Sequence, residues 1–316
     1  MSNKTIAKIW CFVISAAFGA AFFSACGSGS TTAGRTAPEL KYSKPNVTGK
    51  IRSSDVNESS GIAASRCQDG VLWTHNDSGD DAFIYAINTT GESLGTWRVP
   101  DIQNVDWEDI ASYKDGSGKC YVYIGEIGDN KSRRAEHAVY RVAEPDALHA
   151  NKGSSRKDPL STGPADVVRF SYPDYNQDAE TLMVHPQTGD IYVITKRVSG
   201  PAGVYRLGPD FGSNSTNRLE KITELSVPAI PNGLLTGGDI SPDGRRVILC
   251  DYTQGYELRL PDGDANFDDI WQQTPEPVEL GKRAGGEAIT YSLDGTSIFA
   301  TSEGKNSPVI QVNVLK

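Results

Sequence analysis

Five carboxylates stand at matching places in five recurring segments of this chain. NESSGIAAS from Asn57, DWEDIASY from Asp106, DAETLMVHP from Asp178, GGDISPDG from Gly237 and GGEAITYSLDG from Gly285 place Glu58, Glu108, Glu180, Asp239 and Glu287 at the head of a strand-like run. Acids converging from five repeats on one axis repel one another and raise one another's pKa. Two compensations stay open. A divalent cation fits an all-oxygen donor set, and calcium, which takes several carboxylate, carbonyl and water oxygens in a flexible shell, is the expected one. Internal pairing with Lys196 and Arg197 is the other.

A second ring of polar groups follows the next run in each repeat. His75, Asn76 and Asp77 come from the first, Glu126, Asp129 and Asn130 from the second, and Lys196, Arg197, Asp251 and Glu303 from the rest. In a hydrolytic reading, Glu108 or Glu287 activates water, His75 serves as base or metal ligand, and Lys196 or Arg134 steadies developing negative charge. Asn76, Asp77, Asp129, Asn130, Arg134 and Arg197 are then ligand-binding. The structural alternatives are a His75 that locks neighbouring blades, and Asp106 and Asp109 that cap a strand while Trp107 packs between blades.

The elements that must position these groups read as strands. Behind each acid come two further β-branched and aromatic runs, among them VLWTHND and FIYAIN, then CYVYIGE and AVYRVAE, punctuated by Gly, Asp and Pro. The acids are 50, 72, 59 and 48 residues apart, the scale of a four-stranded propeller blade. A fourth strand precedes each acid after the first. The last repeat lacks its own, and VTGKIRSS at 47–54 can supply it by closing the ring. The expectation is an all-β, five-bladed propeller over 46–316, with six blades as the alternative should the Gly-, Ser- and Lys-rich 141–170 stretch hide a repeat rather than a surface loop. The Asp-Gly pairs of SPDGRR and SLDGTS read as two-residue hairpin turns.

The chain begins with Lys4 and Lys8, the apolar run IWCFVISAAFGAAFF and the small residues Ser-Ala-Cys-Gly. This is an export signal, residues 1–25, rather than a spanning helix. FSAC resembles the bacterial lipobox, with Phe23 where Leu is usual, and implies lipid on Cys26 and a membrane anchor in the cell envelope; without that processing the protein is secreted. Residues 26–45 form a flexible tether. An oxidising compartment makes a Cys67–Cys120 disulfide plausible, since both occupy the turn after the first strand of adjacent repeats. Cys250 lies inside an apolar strand. The formal charge of −9, two more negative without Lys4 and Lys8, argues against nucleic acid as a partner. A monomer is expected. GxSxG, HExxH, P-loop and dinucleotide fingerprints are missing, and PDGDANFDD at 261–269 lacks the glycine and closing glutamate of a calcium loop.

ESSGIA at 58–63, LWTHNDSG at 72–79, DWEDIA at 106–111, GEIGDN at 125–130 and YRVAEP at 140–145 together resemble a family of secreted bacterial β-propeller lipoproteins related to phytase-like and calcium-dependent hydrolase propellers. The resemblance implies the fold and a metal site, without a reaction. Two functions are carried forward: a calcium-dependent hydrolase of phosphoesters or related esters, and a non-enzymatic surface module for glycan, peptide or an envelope protein.

Overall fold

The computed structural model describes residues 40–315 apart from Asn214; the expected export signal, Cys26 and most of the expected tether lie outside the described residues. The chain forms five sheets in sequence order, each with four principal antiparallel strands, a five-bladed β-propeller. Blade 1 is Ser59–Ala64, Val71–Asn76, Phe83–Asn88 and Ser93–Arg98; blade 2 is Trp107–Lys114, Cys120–Glu126, His137–Ala143 and Asp166–Ser171. Blade 3 is Ala179–Val184, Ile191–Thr195, Ala202–Leu207 and Glu220–Leu225; blade 4 is Gly237–Ile240, Arg246–Cys250, Gly255–Arg259 and Glu276–Val278. Blade 5 has Ile289–Tyr291, Ser297–Ala300 and Pro308–Leu315 from the C-terminus, and takes its outer strand, Asn46–Lys50, from the N-terminus. The ring is thus closed by pairing sequence-distant strands, with Thr48 Oγ1 donating to Val309 O at 3.1 Å. Lys41–Tyr42, read from sequence as tether, also pairs with the final strand, so ordered pairing starts upstream of residue 46.

The innermost strands are buried on both faces, which is why they read as continuous small and apolar runs rather than alternating ones. Five apolar clusters fill the seams between successive blades. Between blades 1 and 2 lie Trp73, Trp97, Trp107 and Ile110; between blades 2 and 3 lie Tyr123, Phe170, Leu182 and Tyr205. Trp107 is fully buried in its seam, as its sequence context suggested. Truncating it to Ala would cost about 3–5 kcal/mol.

The long 141–170 stretch hides no sixth blade. It contributes the outer strand of blade 2 and Leu160–Ser161, which pairs in parallel with the edge of blade 1. Thr216–Arg218 covers blade 2 in the same way. Both cover otherwise open sheet edges. The SPDG connection is wider than a two-residue turn: Ser241 N donates to Arg246 O, and only Gly244, at φ 69°, is left-handed. Cys67 and Cys120 form a disulfide with a Cα separation of 6.2 Å, tying the bottom turns of blades 1 and 2.

Candidate metal centre at the channel mouth

The inner strands of blades 1 to 3 share a local irregularity that presents their polar residues. The pairing register shifts between Ser59 and Gly61, between Trp107 and Asp109, and between Ala179 and Thr181. Each shift inserts one extra residue, a β-bulge, and those residues are Ser60, Glu108 and Glu180. Two positions earlier stand Glu58, Asp106 and Asp178. The bulge therefore explains a D-x-E pattern, DWE and DAE, visible in the sequence of blades 2 and 3.

Asp77, Asp106 and Glu108 bring one carboxylate oxygen each within 4.8 Å of one another. The backbone of the GDN turn lies against them. A Cβ on Gly128 would fall 2.2 Å from Glu108 Oε1 and 2.7 Å from Asp106 Oδ2, so only glycine allows that approach. Burial, then the Asp77 and Asp106 charges, pushes the buried Glu108 carboxyl well above its ordinary range. Asp106 is pushed up to about 6, by burial first and then by Asp77, while Arg134 pulls the other way. Asp178, shifted up by burial, accepts from Asp129 N at 2.8 Å.

Across the mouth, Glu58 and Glu303 are joined by an antiparallel backbone bridge, and burial, Asp77 and Glu303 raise the pKa of Glu58. Glu287 is pushed up to about 8, by burial and then Glu303, with Lys196 opposing. Tyr252 lies under the same field, raised to about 12 by burial and then by Glu287 and Glu303. The cations are few. Lys196 pairs with Glu180, whose Oε2 is buried without a partner, and Arg134 pairs with Glu126 at 2.8 Å while donating to Gly128 O. Acids outnumber the cations beside them. An all-carboxylate set with a backbone cradle and an orphaned carboxylate oxygen can hold a hard metal ion.

The predicted site residues separate into groups. Glu108 belongs to the three-carboxylate group, with Glu58 and Glu287 at the same mouth; Glu180 is engaged by Lys196. Asp239 lies elsewhere. Arg66, at the far end of the strand that Glu58 precedes, donates to both its oxygens at 2.9 and 3.1 Å, and Thr290 Oγ1, Tyr291 N and Ile240 N complete its shell. Asp109, fully buried, likewise accepts from Ile110 N and Leu182 N. His75 is fully buried, edge-on to Trp107 at 5.9 Å, with Nδ1 2.9 Å from Asn76 O and Nε2 without a partner. Burial holds it neutral, with its pKa lowered to about 4. Asn76 is spent on its own blade and the segment entering it, accepting from Asn57 N and Glu58 N and donating to Asp55 O and Asp80 Oδ2. Asp129 orders the GDN turn by accepting from Arg134 N.

Sequence reading gave Asp106 a capping role and left Asp178 unassigned. The spacing two residues before Glu108 and Glu180 was the signal for both.

Beside the centre is a cleft of about 390 Å³ lined by Asn130, Ser132, Tyr175, Asp178, Lys196 and Arg197 among others. Asp178 and Lys196 face both the cleft and the acidic group.

Fold and site together define a five-bladed β-propeller with an acidic, metal-competent channel mouth. Among solved structures the chain is similar to a gluconolactonase, XC5397 of Xanthomonas campestris, at 12% identity and a TM-score of 0.43, over 89% of this chain and 99% of that one. It is also similar to a chain of a nidogen/laminin complex, at 13% identity and a TM-score of 0.43, over 78% of this chain and 73% of the other. No family model matches the chain, and no curated protein matches it.

Proposed function

We propose that this protein is an exported, lipid-anchored propeller of the cell envelope whose channel mouth binds calcium and hydrolyses a phosphoester or related ester. The observation that carries this reading is the group of Asp77, Asp106 and Glu108, within 4.8 Å of one another and adjoining an open cleft. Asp178, raised by burial first, lines the cleft beside them and adds its charge to the same field. When bound, the ion supplies neutralisation of these acids and polarises an ester oxygen.

The chain's own groups do the rest. Glu287, pushed up to about 8 by burial and then Glu303, is a carboxylate once a bound cation offsets its acidic neighbours, and in that form it takes a proton from the attacking water as the water oxygen bonds to phosphorus. As the bond between phosphorus and the alcohol oxygen breaks, that oxygen takes up the proton Glu287 received from water, and the alcohol leaves. Lys196, seated between Glu180 and the cleft, stabilises the negative charge that builds in the transition state. His75 is too deeply buried to exchange protons with the mouth and serves as packing against Trp107.

Export is supported by the leader pattern and by the Cys67–Cys120 disulfide, a bond suited to an oxidising compartment. Mass spectrometry of the mature N-terminus tests it: a diacylated Cys26 is expected, and an intact Met1 in the envelope fraction would refute it. For the site, calcium titration should raise the unfolding temperature of the wild type and not of Glu108→Gln, and the same substitution should abolish calcium-dependent release of phosphate from phenyl phosphate. Calcium stabilisation without turnover of any phosphate or carboxylate ester would favour the binding-module reading.

A further inference from the structure

Arg197 sits in the cleft without a carboxylate. Its Nη1 donates to Tyr175 Oη at 2.6 Å and to Gln177 Oε1 at 3.2 Å, and the guanidinium lies over the Tyr175 ring at 5.7 Å. It forms no ion pair among the described residues, in an acidic chain and next to Asp178, which lines the same cleft. Its backbone is fixed, because Arg197 N donates to Gly233 O and a Cβ on Gly233 would strike Gly200 O at 2.4 Å. The loops so clamped expose apolar surface. Tyr175 is 56%, Val198 77% and Ile230 fully exposed, three of the seven large apolar side chains exposed among the described residues. Tyr175 and Val198 line the cleft itself. An oriented guanidinium on neutral partners, rimmed by an aromatic ring and a branched aliphatic, matches an oxyanion that carries an apolar or aromatic group.

Resting on the metal reading above, we infer that this cleft selects the substrate: Arg197 holds the anionic group, Tyr175 and Val198 take the apolar substituent, and the anion binds only when a cation neutralises the adjoining acids. Without that cation the carboxylates of Asp178, Asp106 and Asp77 repel any anion drawn to Arg197. With it, cation and anion strengthen each other by the same factor, as linkage requires.

The test is calorimetric titration of the purified full-length protein with phenylphosphonate, a non-hydrolysable relative of phenyl phosphate, and with inorganic phosphate, each in calcium and in chelator. Phenylphosphonate should bind in calcium and lose about tenfold or more in chelator. Arg197→Gln should weaken both anions about tenfold while calcium affinity, measured without anion, stays within about twofold. Val198→Asp, at an exposed position, should weaken phenylphosphonate about fivefold more than inorganic phosphate. Wild-type anion affinity in Arg197→Gln, with calcium binding intact, would overturn the cleft assignment and leave the metal centre standing. Equal affinity for the two anions, unchanged by Val198→Asp, would overturn the apolar selection. Absence of calcium binding by the wild type would overturn both this inference and the reading on which it rests.

Discussion

Two groups of buried carboxylate in the channel have opposite fates. Asp239 is fully engaged: a guanidinium, a hydroxyl and two backbone amides account for its two oxygens. Glu108 and Glu287 are as enclosed as Asp239 and Asp106 is half-buried beside them, yet among the described residues they lack such donors, and burial raises all three. The first arrangement is a latch, joining Arg66 of blade 1 to blade 4 and, through Thr290 and Tyr291, to blade 5. The second is a store of unneutralised charge, tolerable only if the acids are protonated or a cation is present. The contrast teaches that an acid's place in a repeat does not fix its role; the donors its neighbours supply do.

The largest effect that would sharpen this contrast is at the latch. Arg66→Ala leaves Asp239 buried and uncompensated, and should cost about 3–5 kcal/mol in urea unfolding, equally with and without calcium. A loss that calcium restores would break the distinction between the two groups.

At the mouth the sign reverses. Glu108→Gln should stabilise the protein in chelator by about 1–2 kcal/mol, because it removes the cost of burying this acid, protonated or charged, among other carboxylates, and should erase the gain from calcium. Destabilisation in chelator would mean that Glu108 is satisfied, as Asp239 is.

The smaller effect is pH dependence. Glu287 binds its proton more tightly when folded, with a pKa of about 8 against an ordinary 4.5, and Asp106 at about 6 against 3.8. An acid raised in this way favours the folded state at low pH, and that contribution is lost as pH rises from its unfolded toward its folded value. In chelator, stability should therefore fall between about pH 4.5 and 8, with a slope that Glu287→Gln reduces. Calcium should flatten the fall, since it binds the deprotonated form. Thermal unfolding across that range in both conditions reads the difference.

The chain's periodicity determined much of this. Runs of β-branched and aromatic residues, turn residues at regular spacing and a surplus N-terminal strand specify five blades and their closure, because strand period and blade length are local properties. Glu58, Glu108 and Glu287 at one mouth followed from the same repeat. What repetition concealed was vertical register. Asp239 looked equivalent to the other lead acids, but it faces Arg66, a residue 173 positions away in sequence. Asp106 looked structural, yet the bulge at Glu108 places it beside that glutamate and Asp77. A bulge of one residue changes which side chain enters the channel without altering composition or period. Which acids are paired, and which lack donors and could hold a cation, was decided only when distant blades closed the ring and brought guanidinium and amide donors to some carboxylates and not to others.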